Sequence, residues 1–197
     1  QDGSEAAPGE VGELVVTQPP LGLTPAIRGD RDRYLDTYWS TFPGLWRHGD
    51  WVRCDPDGTW YILGRSDDTL NIAGKRIGPP EIEAALTETG EVVDAAAIAA
   101  PDDIKGVAVV CVCVAAPNVS PDAELVNRLK DRVGEIVSKP FRPREIHFVE
   151  ALPKTRSMKT MRRVVRAAFL GEDPGDLSSI SNPETIQPIA DLQKEKS

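Results

Sequence analysis

The chain has 197 residues, of which 40% are hydrophobic and 27% charged, with a formal net charge of -8. That length suits one ordinary domain, or a small domain joined to part of another, and the acidic balance argues against nucleic acid as a partner. Neither a run of about 18 apolar residues nor a basic-then-apolar leader occurs, so no membrane partner and a cytoplasmic location are expected.

Residues 1–66 read as β-rich and incomplete. GELVVTQPP is a strand halted by Pro19 and Pro20, and DWVRCD, PDG and TWYILGR form a hairpin turning at Pro56, Asp57 and Gly58. Between them lie Arg28, Arg31 and Arg33 and the aromatics Tyr34, Tyr38, Trp39, Phe42 and Trp46, with few apolar strands to receive them.

From Asp67 the pattern becomes one of short strands and amphipathic helices, giving an α+β chain. A short strand at Leu70 to Ile72 precedes Gly74 and Gly78, and Pro79 and Pro80 open a helix with Ile82, Ala85 and Leu86 on one face. Val92 to Ala100 and Val107 to Ala115 are β-branched apolar runs joined by the polar turn PDDIKG. Cys111 and Cys113 alternate within the second run and so share a face as core thiols. With Cys54 they make an odd count that has no C-x-x-C pair and no His at ligand spacing, which speaks against a zinc site or a disulfide framework.

The next helix takes Ser120 as N-cap and Pro121 in its first turn, with Leu125, Leu129, Val133, Ile136 and Val137 in one stripe. REIHFVE is a further strand and ALPKTRS a loop, after which Ser157 caps a last helix whose apolar side is Met161, Val164, Val165, Ala168 and Phe169. Gly171 ends it. Residues 172–197, rich in Ser, Asp, Pro and Glu, read as a tail on the surface or partly disordered, with one weak helical stretch near Ile189 to Leu192.

Charge is unevenly placed: between Lys139 and Phe169 nine basic residues face only Glu145 and Glu150. The excess suits a solvated helix face, or equally a site that handles phosphates or a carboxylate.

Two strings carry a resemblance. HGDWVRCDPDGTWYILGRSDDTLNIAGKRIGPPEIEAAL resembles the core signature of the adenylate-forming enzymes, and ALPKTRSMKTMRR resembles their C-terminal lysine motif. The TRS-x-K-x-MRR string and the Pro-containing acidic tail are most similar to the branch of AMP-forming acyl-CoA synthetases that acts on acetate and propionate. The resemblance implies the end of a large nucleotide- and acyl-binding domain over residues 1–66, a mobile C-terminal domain over 67–171 and a tail over 172–197. It implies coupling of a carboxylic acid, acetate or another short-chain acid, to ATP, then transfer of the acyl group from AMP to CoA. Mg2+ is expected with ATP, with no ligand identifiable in this sequence.

Residue by residue, Asp50 matches the aspartate that holds the ribose hydroxyls, a task for a two-oxygen acceptor, although alone it would be a turn carboxylate. Arg65 matches the arginine that reaches the ribose or phosphate side of the nucleotide, and its plainer reading is a surface salt bridge. Asp67 falls at the hinge, where backbone angles matter more than the acid. Asn71, Ala73 and Gly74 match the lining of the thiol tunnel, though Gly74 reads equally well as a turn glycine. Arg76 matches an arginine that contacts phosphate in the thioester-forming state.

Lys159 stands where the family places the lysine that bridges the acyl carboxylate and the α-phosphate. One unit charge about 4 Å from another is worth roughly 4 kcal/mol at an effective dielectric constant near 20, so a cation there offsets the repulsion between the two reacting anions. Lysines of this motif are acetylated in the family, which implicates a lysine acetyltransferase and deacetylase.

Three features depart from the pattern. Met158 stands where Gly is common, which stiffens the loop. His48 replaces Thr or Ser before GD, and it reads mainly as a histidine packed near the hairpin, as His147 reads as structural. A Gly/Ser/Thr-rich phosphate loop and an acyl pocket are absent from this sequence, so the chain alone is expected not to turn over and to need the missing N-terminal domain. Two other readings stay open: an adenylation domain loading a carrier protein, and a binding or regulatory module without chemistry.

Overall fold

The computed structural model describes residues 3–72, 74–102 and 106–193. The chain is α+β and divides into two units, residues 1–67 and 68–197.

In the first unit β1 (Val11–Val16), β2 (Trp46–Cys54) and β3 (Trp60–Arg65) form an antiparallel sheet in that order. The β2–β3 turn is the one expected: Asp57 accepts from the Thr59 N–H at 2.9 Å, which holds its carboxyl below the usual carboxylate range. Between β1 and β2 lies α1 (Arg31–Tyr38), a helix absent from the sequence reading, whose N-cap Asp30 accepts from the Arg33 N–H at 2.9 Å. This helix receives the aromatics: Tyr34 is buried, and Tyr38 stacks on Trp46 with centroids 4.9 Å apart.

In the second unit β4 (Leu70–Ile72) and β5 (Lys75–Ile77) form a small hairpin. α2 (Pro79–Thr87) follows, with Pro79 and Pro80 at its start as expected. β6 (Val92–Asp102) and β7 (Gly106–Ala115) pair antiparallel, and β8 (Glu145–Phe148) joins β7 in parallel. The expected PDDIKG turn falls partly on 103–105, outside the described residues. α3 (Ala123–Ile136) starts two residues later than a Ser120 cap implies. Asp122 is the cap, its carboxylate accepting from the Leu125 N–H at 2.7 Å, a stronger acceptor than a hydroxyl at the positive end of a helix.

The period-2 alternation of the central strands builds two cores. Ala95, Ala97, Val109, Cys111 and Cys113 face one side with Ile82, Leu86, Leu125, Leu129 and Val133 of α2 and α3. Ala96, Ile98, Val110 and Val112 face the other with Val165 and Phe169 of α4 (Arg162–Leu170) and Ile189 of α5 (Ile186–Asp191). Both central thiols are core residues, and burial raises Cys113 to about 12 and Cys111 well above its ordinary value.

Two further sequence expectations are corrected. Ser157 does not cap α4, whose N-cap is Met161 with no side-chain cap bond; Ser157 sits in a turn before it. Residues 172–193 are tied to the unit, because Ile189 is fully buried and a bridge joins Ile180 to Thr155. Gly171 does end α4, in the left-handed conformation with φ 70°.

Candidate functional site

Lys159 lies on the return side of a hairpin turn. The Met158 N–H donates to the Thr155 carbonyl at 2.8 Å and the Thr155 N–H to the Lys159 carbonyl at 2.9 Å, which encloses Arg156, Ser157 and Met158 as a three-residue loop. Such loops pair a type I turn with one residue in the left-handed region, and here it is Met158, at φ 64°. The Thr155 hydroxyl accepts from the Lys159 N–H at 3.1 Å. The Lys159 side chain is exposed and makes no ion pair among the described residues.

Two of its basic neighbours, Lys154 and Arg162, are engaged. Lys154 Nζ lies 2.5 Å from Asp94 on β6 and donates to the Thr160 hydroxyl at 2.8 Å. Arg162 forms a bidentate pair with Glu83 of α2 at 2.7 and 2.6 Å, a contact that raises the guanidinium pKa above its usual value. Arg144 pairs with Asp102 and Glu145, Arg142 with Asp131, and Arg166 with Glu172. Much of the basic excess is therefore balanced by acids from other parts of the chain, and its main structural use is to fasten α4 and β8 in place.

The first unit gathers Asp50, Arg65 and Asp67. Asp50 and Arg65 are cross-strand partners on β2 and β3, with Arg65 Nη1 at 3.6 Å from the Asp50 carboxylate and donating to the His48 carbonyl at 3.2 Å. Arg65 Nε also donates to Asp67 at 3.2 Å. His48 Nδ1 is 2.6 Å from Asp50, so the histidine makes a polar contact with this cluster as well as packing edge-on to Trp46.

Gly49 was missed by the sequence reading. It has φ 88°, and a Cβ there would stand 2.7 Å from an Arg65 guanidinium nitrogen. An isolated glycine inside a strand pattern was the available signal.

The remaining residues lie on the β4–β5 hairpin of the second unit. Asn71 and Arg76 are register partners across it, and Gly74 occupies its turn at φ 77° with open space around the Cβ position, so the turn by itself accounts for the glycine. Ala73 lies outside the described residues. Asp50, Arg65 and Asp67 thus form one cluster, Asn71, Gly74 and Arg76 a second group on a hairpin, and Lys159 stands on a separate turn.

Residues 81–159 match the model of the AMP-binding enzyme C-terminal domain. The chain is 37% identical over 187 residues to an acetyl-coenzyme A synthetase of Pyrobaculum aerophilum, covering 95% of this chain and 28% of that protein. It is 40% identical over 177 residues to that of Vibrio cholerae, covering 89% of this chain and 27% of that protein. A solved acetoacetyl-CoA synthetase from Streptomyces lividans superposes with a TM-score of 0.86 at 29% identity, over 100% of this chain and 30% of that one. The chain therefore spans under a third of the length of these relatives. Residues 81–159, within the second unit, thus carry an AMP-binding enzyme C-terminal domain, in a chain similar over nearly its whole length to acetyl-coenzyme A synthetases.

Proposed function

We propose that the chain is the C-terminal part of an AMP-forming acyl-CoA ligase that activates acetate or a similar short-chain acid with ATP and passes the acyl group to CoA. The observation that carries this reading is the exposed Lys159, held by its main chain on a closed turn while Lys154 and Arg162 on either side of it are paired with acids of the fold. A side chain so placed offers its charge to incoming anions rather than to the fold. The names of the relatives support acetate.

In this reading Lys159 is a catalytic residue: its ammonium lies against both the acyl carboxylate and the α-phosphate and lowers their mutual repulsion as the adenylate forms. Asp50 accepts from the ribose hydroxyls, and Arg65, oriented by the His48 carbonyl and Asp67, donates to the nucleotide. Asp67 is the hinge, Asn71, Ala73 and Gly74 border the path of the CoA thiol arm, and Arg76 meets a phosphate when the thioester forms. Mg2+ brought with ATP would be held chiefly by the phosphates of the nucleotide.

Turnover needs the acyl and phosphate sites that this chain does not supply. Acetylation of Lys159 by an acetyltransferase, reversed by a deacetylase, would remove the charge and stop the first half-reaction. Three free thiols and the use of ATP and CoA support a cytoplasmic setting. The test is Lys159→Ala in the full-length protein, with adenylation followed by ATP–pyrophosphate exchange; exchange at the wild-type rate would refute the reading.

A further inference from the structure

The strand that leads into the Lys159 turn has both of its edges occupied. On one edge the Met161 N–H donates to the Pro153 carbonyl at 2.9 Å and Thr155 pairs with Lys159, which is the hairpin itself. The other edge, belonging to residues 152, 154 and 156, is taken by the segment that follows α4. The Ser181 N–H donates to the Lys154 carbonyl at 2.8 Å and the Arg156 N–H to the Ser179 carbonyl at 3.2 Å.

Asn182 continues that edge with its side chain. Its Oδ1 accepts from the Lys154 N–H at 2.8 Å and its Nδ2 donates to the Leu152 carbonyl at 2.9 Å, so one amide replaces a peptide group at two successive sites of a β ladder. The segment is anchored beyond this point: the Thr185 hydroxyl donates to the Asn182 carbonyl at 2.7 Å, and Ile189 is fully buried in the core that holds Leu152 and Phe169.

We propose that Asn182 is a positioning residue for Lys159, and that residues 179–182 form a strap that fixes the lysine turn from the side opposite its own return strand. This rests on the adenylation role given to Lys159. Without the strap the outgoing strand would keep only one partner, and an exposed cation on a three-residue loop would sample many placements. A displacement of about 1 Å suffices to cost a large factor in rate when two groups must be bridged at once.

The experiment measures both half-reactions in the full-length protein carrying Asn182→Ala. The kcat for ATP–pyrophosphate exchange is expected to fall about tenfold, the loss typical of a small misplacement or one hydrogen bond, while the KM for ATP and thioester formation from supplied acetyl adenylate stay within about twofold. Asn182→Asp, which keeps the acceptor for Lys154 and loses the donor to Leu152, is expected to lie between the two. In a Lys159→Ala background the Asn182→Ala change should add nothing to the loss of exchange, because it acts through that lysine.

Unchanged exchange in Asn182→Ala, an equal fall in both half-reactions, or a further fall in the Lys159→Ala background would each overturn the strap. If Lys159→Ala itself leaves exchange intact, the adenylation reading fails instead. The strap is then judged by amide hydrogen exchange: about tenfold faster exchange at Thr155 and Lys159 in Asn182→Ala, with Val165 unchanged, is expected, and unchanged protection at Thr155 and Lys159 overturns it.

Discussion

Thr155 closes the turn under Lys159 from both of its polar ends, its N–H donating to the Lys159 carbonyl at 2.9 Å and its hydroxyl accepting from the Lys159 N–H at 3.1 Å. The loop this encloses forces Met158 to φ 64°, where an L side chain costs roughly 1–2 kcal/mol that glycine avoids. Met158 is 70% exposed, so its removal forfeits little packing. Met158→Gly is therefore expected to stabilise the second unit by about 0.5–1 kcal/mol after the added freedom of the unfolded chain is counted, seen as a rise of about 2 °C in its thermal midpoint. A lower midpoint would mean that the left-handed residue carries no strain.

Gly49→Ala should strike the first unit. The substituted residue would have to hold φ 88° and push an Arg65 guanidinium nitrogen away from 2.7 Å. Because the guanidinium is the far end of a flexible chain, it yields by leaving the His48 carbonyl and Asp50. The KM for ATP in the full-length protein is expected to rise about tenfold, the cost of one charge-assisted contact, with the second half-reaction from acyl adenylate less affected. An unchanged KM would detach this cluster from nucleotide binding.

The Arg162–Glu83 pair fastens the start of α4 to α2, and Glu83 also accepts the Ala97 N–H of β6 at 3.0 Å. Both side chains are largely covered, at 24% and 12% exposure. Arg162→Met leaves the Glu83 charge without its partner and should cost on the order of 2 kcal/mol, below the full loss for a deeply buried pair because water still reaches the guanidinium. Denaturant unfolding of the second unit measures it, and a loss below about 0.5 kcal/mol would class the pair with ordinary surface bridges.

The thiols give a pH-dependent prediction. Cys113 is raised to about 12 by burial, from an ordinary value of 9.0. Between these values the unfolded chain releases the proton while the folded one keeps it, so fewer protons are bound in the unfolded state and stability falls as pH rises. The contribution is complete below pH 9 and lost progressively toward pH 12, and Cys111 adds to it in the same direction. At pH 8 a thiol reagent should modify half-buried Cys54 rapidly and the other two only after unfolding. Three equally fast thiols would contradict the packing of β7.

Much of the architecture could be read before folding was considered, because burial on both faces of β6 and β7 demands apolar runs and the helices of the second unit bury period-3.6 stripes. α1 could not be, since RDRYLDTY has no such stripe and is set by the Asp30 cap and by Tyr38 stacking on Trp46 of β2. The hold on residues 172–193 was also hidden: beside the buried Ile189 it depends on main-chain groups and one asparagine amide, which leave no periodicity. Of the candidate residues, Asp50 and Arg65 meet because cross-strand register places them opposite each other, whereas Gly49 shows its purpose only once the Arg65 guanidinium is seen over it. The motif singled out Lys159, but its turn was mistaken for a helix cap at Ser157, because a serine before a basic apolar run serves either use.

The central claim is that Lys159 supplies charge to the adenylation step alone. The direct measurement is the ratio of the two half-reactions in full-length Lys159→Ala, with ATP–pyrophosphate exchange against thioester formation from supplied acetyl adenylate. Exchange is expected to fall by at least about a hundredfold, equivalent to roughly 3 kcal/mol of lost electrostatic stabilisation, with thioester formation within about threefold of wild type. Equal retention of both, or equal loss of both, would contradict it.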